Sequence, residues 1–172
     1  MKIDDITLTL FAWDGIPATQ YGQHTGKFSG QSQLGLVTIR TDDGVEGNAF
    51  LGASSRGGHL DAHSLIDHLK PQLMGQNPLN RERLNREMHK RSRATTLRAI
   101  GAMDIALWDI AGKIVNLPIH QLLGSARASL PAYASSPTLG SADAYVEEAL
   151  SIKSAGWAPY KIHPPTEWKT DI

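Results

Sequence analysis

The chain has no cysteine. That excludes a disulfide scaffold, a thiolate zinc site and a cysteine nucleophile. No apolar run approaches the roughly 20 residues that a membrane-spanning helix needs. The opening Met-Lys-Ile-Asp-Asp-Ile carries two acids and no apolar h-region, so it is not a secretory signal. Net charge is missing too: 17 basic residues balance 17 acidic ones, which leaves no electrostatic footprint for nucleic acid or an anionic membrane. Repeats and low-complexity tracts are absent. The spacing Gly52-x5-Gly58 lacks the Lys-Ser/Thr ending of a phosphate loop, and no serine sits in a nucleophile elbow. What is left is a soluble, cytoplasmic protein with neither a nucleic-acid nor a membrane partner. Its 172 residues admit one large domain, or a small domain plus part of another.

The residues that are present fall into two regimes. Residues 6–10 alternate apolar and polar as a half-buried strand does. Residues 34–40 read as a second strand, with Leu34, Leu36 and Thr38 on one face. Asp42-Asp43-Gly44 is a hairpin turn signal, and residues 45–51 complete an antiparallel meander. Between the first two strands, residues 14–30 are polar and glycine-bearing, without helical or strand period. A loop of that length in a compact domain is more often a functional lid than filler. A second, shorter loop spans 52–58.

Helices follow. Leu60, Ile66 and Leu69 mark one over 59–70, interrupted by Pro71. Asn77-Pro78 reads as an N-cap with proline at the first helical position, opening a polar helix to about Arg91. A third runs from Thr95 or Thr96 to Val115. Its apolar positions Leu97, Ile100, Met103, Leu107, Trp108, Ala111, Ile114 and Val115 make it the core helix. A short helical turn at 118–123 ends at Gly124. Beyond it come a strand (130–135), a helix (141–155) closed by Gly156, a strand (159–163), and an N-cap at Thr166. That succession is βαβ logic and implies a parallel sheet. The reading is therefore an α+β domain over 1–126, with a three-stranded antiparallel meander plus helices, and the opening of an α/β domain over 127–172.

Chemistry concentrates at Tyr160-Lys161-Ile162-His163. Alternation puts Lys161 and His163 on one face of a strand that ends a βα unit and runs into Pro164-Pro165. Parallel α/β enzymes keep their reactive groups at that end. A lysine crowded by a second cation and partly desolvated is suited to proton abstraction or to pairing with a carboxylate. The bland alternative is two polar residues on a solvated edge strand. His59 and His63 stand four apart, a spacing that permits a shared metal. Without a Glu in a His-Glu-x-x-His arrangement and without cysteine, they read instead as a helix face. The mixed charges from Arg81 to Arg93 read as a solvated helix surface. Asp104 and Asp109, in an apolar helix, read as groups that tie it to a neighbour.

Ala99-Ile100-Gly101-Ala102-Met103-Asp104-Ile105-Ala106-Leu107-Trp108-Asp109-Ile110-Ala111-Gly112-Lys113 resembles the enolase superfamily, in its mandelate racemase/muconate lactonizing enzyme branch. Thr41-Asp42-Asp43-Gly44-Val45-Glu46-Gly47, Leu122-Leu123-Gly124 and Pro131-Ala132-Tyr133 resemble it as well, in order along the chain. The resemblance implies an α+β capping domain followed by the start of a TIM-type barrel, with 14–30 and 52–58 as lid loops. It implies Mg2+-assisted removal of the proton α to a carboxylate, then racemisation, dehydration or cycloisomerisation. His163 would be the acid/base and Lys161 the group at the substrate carboxylate, with Ser135 within reach of substrate. The lid candidates Tyr21, His24, Lys27 and Arg56 fit a polar, anionic small-molecule carboxylate such as an acid sugar. Having His rather than a second Lys favours dehydration over racemisation.

The family's metal ligands lie at the ends of the third, fourth and fifth barrel strands, whereas this chain supplies two strands after Gly124. Asp143, Glu147, Glu148, Glu167 and Asp171 fall on helices. The expectation is an enzyme of the dehydratase or racemase kind represented by its first part, neither holding Mg2+ tightly nor turning over by itself. Such a chain would have exposed strand edges and would self-associate as a homo-oligomer. The alternative is a non-catalytic capping-domain fragment that serves as an oligomerisation or interaction module.

Overall fold

The computed structural model of the chain describes residues 1–20, 27–53 and 55–164, with the backbone alone at 27–29. The expected N-cap at Thr166 lies outside them. Two compact units emerge: Met1–Asp14 with Gln31–Ala126, and Gly15–Gly30 with Arg127–Ile172.

A three-stranded sheet has β1 (Ile3–Gln20), β2 (Lys27–Thr41) and β3 (Glu46–Leu51) in the order β1-β2-β3, and the first unit contains β1 up to Asp14, β2 from Gln31 and all of β3. β2 and β3 pair antiparallel, from Gly35 opposite Leu51 to Arg40 opposite Glu46. Gly44 turns the chain between them at φ +86°, a conformation glycine adopts without strain. Thr41 closes the turn: its hydroxyl accepts the Val45 N–H at 3.0 Å and lies 2.6 Å from Asp43 Oδ1. The core face of β2 is Val37, Ile39 and Thr41; Leu34, Leu36 and Thr38 occupy the half-buried opposite face.

Of the loop expected over 14–30, residues 14–20 and 27–30 are strand, and the remainder lies outside the described residues. β1 continues to Gln20 and β2 begins at Lys27. From Thr9 to Ala18 only Ile16 is buried. A strand wet on both faces has no inside–outside alternation, so the pattern by which strands are recognised is missing there.

The helix after β3 also differs from expectation. Three segments run on without a break: α1 (His59–His63), a π-helical turn (Ser64–Leu69) and α2 (Lys70–Leu73). Pro71 sits inside this run rather than ending it. The π turn just before it carries an i→i−5 bond, from the Lys70 N–H to the Leu65 carbonyl, and such a widened turn relieves the clash a proline makes with the preceding turn. The buried stripe is Asp61, Leu65, Leu69 and Leu73, a four-residue repeat that a widened turn keeps on one side. Leu60, expected to be buried, is exposed. Lys70 ties this run to β1 through Asp5 Oδ1 at 2.6 Å and the Ile6 carbonyl at 2.8 Å. That bond holds the Asp5 carboxyl below its ordinary range.

α3 (Arg81–His89) starts later than Asn77-Pro78 foretold. The Asn77 side chain accepts the Leu79 N–H at 2.9 Å instead, making a separate turn ahead of the helix. α4 (Leu97–Val115) is capped by Thr96, whose hydroxyl accepts the Ala99 N–H at 3.2 Å. It buries Ile100, Met103, Leu107 and Ile110 completely or nearly so, each contributing about 1.5–3 kcal/mol by removal from water. Leu97 and Val115, assigned to its core face from sequence, lie exposed at its two ends. β3 packs against this helix so closely that a Cβ on Gly47 would sit 2.0 Å from the Ala106 carbonyl oxygen. Asp104 and Asp109 do tie α4 to its neighbours: Asp104 accepts from Asn85 of α3 at 3.1 Å, and Asp109 accepts from the Asn48 N–H of β3 at 2.8 Å. α5 (Ile119–Leu122) closes the unit.

In the second unit β4 (Ala134–Ser135) and β5 (Tyr160–Lys161) pair in parallel, joined by α6 (Ala142–Ser154). This is the βαβ arrangement the sequence implied, but the strands are short: only the last two residues of 130–135 and residues 160–161 of 159–163 pair. Pro131 and Pro159 carry no N–H for a ladder. Ser141 caps α6 by accepting the Ala144 N–H at 3.2 Å. Ile162, expected to pack outward under helices, is half exposed, as is Val146 of α6. No helix among the described residues is long and apolar enough to cross a membrane.

Candidate functional site at the end of the parallel strand pair

The β4–β5 register places Ser135 opposite Lys161. Register partners share a face, so their side chains project side by side, and the alternate residue His163 follows on that face. Tyr160 points the other way, onto α6, where its hydroxyl donates to Glu148 Oε2 at 2.5 Å. Burial and then this carboxylate push the Tyr160 phenol above its ordinary range.

Among the described residues, His163 is held through three of its atoms. Its backbone N–H donates to Ser136 Oγ at 3.1 Å, and its carbonyl accepts from the Tyr145 hydroxyl at 2.7 Å. Its ring Nδ1 lies 2.6 Å from the Ser136 carbonyl oxygen, with Ser135 Oγ 3.5 Å from the same nitrogen. A carbonyl oxygen only accepts, so the short contact requires a proton on Nδ1. In the neutral ring Nε2 is then the basic nitrogen. Ser136 is buried, and its N–H donates to the Lys161 carbonyl at 2.9 Å. The Tyr145 hydroxyl also accepts the Leu139 N–H at 2.9 Å. It thereby fixes one wall of a cleft of about 370 Å³ lined by residues 18–20 and 137–140.

Lys161 is exposed rather than partly desolvated as expected. Its Nζ lies 5.8 Å from the centroid of the Tyr133 ring, within cation–π range. Ser135, Lys161 and His163 are thus brought together. Tyr21 and His24 lie outside the described residues, as does the Lys27 side chain. Among the described residues, no group of three or more His, Cys, Asp or Glu is placed to hold a metal ion. His63 pairs with Asp67 one helical turn on and meets the His68 ring edge-on at 5.8 Å. Asp143, Glu147 and Glu148 lie on α6, the last engaged by Tyr160.

Arg56 belongs to the first unit, where its guanidinium is engaged by a buried carboxylate. Its Nη2 lies 3.1 Å from Oδ1 of Asp61, whose side chain is fully buried. The Thr96 hydroxyl donates to the same oxygen at 2.9 Å. Asp61 Oδ2 accepts no hydrogen bond among the described residues and faces Arg98 Nε at 3.8 Å. Enclosure favours the neutral acid, but Arg56, Thr96 and Arg98 together outweigh it and hold the Asp61 carboxyl below its usual range. Arg98 also donates to the Arg56 carbonyl at 3.1 Å, and Ala53 and Arg56 form a bridge. The 52–58 loop is therefore pinned at Arg56.

Sequence reasoning missed Ser136, Tyr145 and Asp61. The last had a signal in the four-residue repeat Asp61, Leu65, Leu69, Leu73. The first two had none, because a serine in a loop and a tyrosine on a solvated helix carry no periodicity.

Comparison with known proteins converges on one group. Residues 19–124 match the family "Mandelate racemase / muconate lactonizing enzyme, N-terminal domain". The chain is 29% identical to N-succinyl-L-Arg/Lys racemase of Bacillus cereus over 151 residues, 86% of this chain and 40% of that protein. It is 32% identical to D-mannonate dehydratase CC0532 of Caulobacter vibrioides over 134 residues, 73% of this chain and 32% of that protein. The crystal structure of the Bacillus cereus N-succinyl Arg/Lys racemase superposes with a TM-score of 0.83 at 28% identity, covering 99% of this chain and 46% of that one. A dipeptide epimerase from Enterococcus faecalis, solved with Mg and the dipeptide L-Leu-L-Tyr, shares the fold with a TM-score of 0.80 at 22% identity. The chain spans less than half the length of these relatives.

Proposed function

Since the chain belongs to the mandelate racemase/muconate lactonizing enzyme family, we propose that its second unit supplies the proton-transfer side of an active site acting on a small carboxylate. The reaction favoured is dehydration of an acid sugar. His163, with its proton on Nδ1, takes the proton α to the carboxylate at Nε2. The electrons left on carbon form a double bond as the β-hydroxyl departs, and that hydroxyl leaves as water with the proton carried by the imidazolium. Lys161 holds the substrate carboxylate by charge, and Ser135 offers a hydrogen bond beside it. The observation that carries this reading is the register of Ser135 on Lys161, together with the anchoring of His163 Nδ1 on the Ser136 carbonyl.

Family membership implies Mg2+, which would stabilise the enediolate charge. The described residues do not fit such a site, since no three candidate ligands converge, and no step above runs through a metal. On this reading the 172-residue chain alone neither binds Mg2+ with micromolar affinity nor turns over. The test measures the mass of the native protein, then incubates it and the 172-residue chain separately with acid sugars in D2O. Exchange or elimination at the α-carbon, followed by NMR, is expected of a native protein of full family length and lost in His163→Asn. Turnover by the 172-residue chain, or micromolar Mg2+ binding to it in calorimetry, would sink the proposal.

One observation favours the second reading, an association module. In the second unit Leu130 is 74% exposed and Leu150 62%, which is apolar surface of the kind that self-association covers. A native mass equal to that of these 172 residues, with a concentration-dependent oligomer in sedimentation, would select it.

A further inference from the structure

Building on the acid/base role proposed for His163, we infer that Ser136 and Tyr145 are positioning residues that fix which ring nitrogen of His163 exchanges protons. Neither touches the reacting atoms. Ser136 binds His163 twice, receiving the backbone N–H on its hydroxyl at 3.1 Å and the ring Nδ1–H on its carbonyl at 2.6 Å. Tyr145, from α6, donates to the His163 carbonyl at 2.7 Å. The three contacts hold the residue from both sides of its backbone, so the ring can keep the Nδ1 contact only in one orientation.

The chemistry follows from the tautomer. A neutral histidine has one N–H and one lone pair, and the partner of the first nitrogen decides where the second stands. With Nδ1–H on a carbonyl, Nε2 carries the lone pair. Ser136 is itself fixed, because it is buried and its N–H is bonded to the Lys161 carbonyl at 2.9 Å. The same residue therefore sets the position of Lys161 and the tautomer of His163. Tyr145 adds a link to the cleft wall, since its hydroxyl also receives the Leu139 N–H at 2.9 Å. A shift of that wall moves the oxygen that holds the His163 carbonyl.

The measurement is the nitrogen NMR spectrum of the imidazole rings in the 172-residue chain, with His163 assigned by its loss in His163→Asn. Above the ring's titration the expected signature is a pyrrole-like Nδ1 and a pyridine-like Nε2. Ser136→Ala and Tyr145→Phe keep the Ser136 carbonyl but each release a bond to the His163 backbone, so the ring is held less firmly on that carbonyl. The tautomer ratio is then expected to move toward Nε2–H by roughly two- to threefold, the lower end of one hydrogen bond's effect. Ser136→Thr keeps the hydroxyl and is expected to restore the wild-type ratio. An Nε2–H signature in the unmodified chain overturns the inference without any variant. So does a ratio unchanged in both Ser136→Ala and Tyr145→Phe. Neither result depends on turnover, so a native protein inactive on every carboxylate would refute the proposed reaction and leave the positioning role standing.

Discussion

Asp61 offers the sharpest test of how the first unit is held together. Replacing it with alanine removes the charge-assisted bond from Arg56 and the hydroxyl bond from Thr96. These are worth about 1.5–3 and about 1 kcal/mol respectively. Two effects reduce the loss. The carboxylate was costly to bury, with one oxygen lacking a hydrogen bond among the described residues, and the Arg56 side chain, 42% exposed, regains water. The net cost of Asp61→Ala is then about 2–3 kcal/mol. Arg56→Ala is expected to cost at least as much, because it leaves a buried carboxylate held by the Thr96 hydroxyl, with its remaining cation, Arg98, at 3.8 Å. The double variant is expected to lose less than the sum of the two.

The pH dependence has a definite sign. The Asp61 carboxyl titrates lower in the folded chain than in the unfolded one, so its stabilisation is present above the ordinary range near about 3.9. It is lost as pH falls through the folded value. Wild type and Asp61→Ala should differ fully at neutral pH and converge in acid. Urea unfolding followed by circular dichroism gives the difference. Hydrogen exchange at Ala99 and Ile100, the first turn of α4, shows whether the helix N-terminus loosens with it. An Asp61→Ala variant within about 0.5 kcal/mol of wild type at neutral pH, the size of an ordinary surface change, would refute the account of Asp61 as an electrostatic anchor.

Gly47→Ala should destabilise by about 3 kcal/mol or more, because its Cβ meets backbone that cannot step aside; calorimetric Tm reads this. Thr96→Ala should cost about 1–2 kcal/mol as a lost N-cap, and its effect should not add to that of Asp61→Ala, since one hydroxyl serves both helix and carboxylate. In a native protein that turns over, His163→Asn should slow α-proton exchange by about 10²–10⁴-fold, whereas Lys161→Ala should act chiefly on KM for the carboxylate. Equal losses of kcat in both variants would contradict the division of roles.

Local chemistry carried a large part of the fold. Asp42-Asp43-Gly44 specified its turn, Thr96 its helix start, and Asn116 ends α4 in the left-handed conformation that asparagine tolerates. The alternation of strand, helix and strand after Gly124 gave the parallel pair, and the two-residue spacing from Lys161, at the end of β5, pointed to His163, which lies beside Ser135. Each of these signals lies within a few residues of what it specifies. Turn geometry, capping and side-chain period are properties of the neighbouring backbone, and a linear sequence displays them directly.

Packing settled the rest. Arg56 reads from sequence as a lid residue for an anionic ligand, and its pairing with the carboxylate of Asp61, which is also bonded to Thr96 35 positions further along the chain, was not legible there. The extension of β1 to Gln20 and the start of β2 at Lys27 left no mark in the sequence, because a strand solvated on both faces shows no alternation. The tautomer of His163 depends on a carbonyl 27 positions away, brought within reach only when β4 and β5 align. A side chain's type sets what it is able to donate or accept, but which partner it meets is fixed by contacts between elements distant in sequence, and those exist only once the chain has folded.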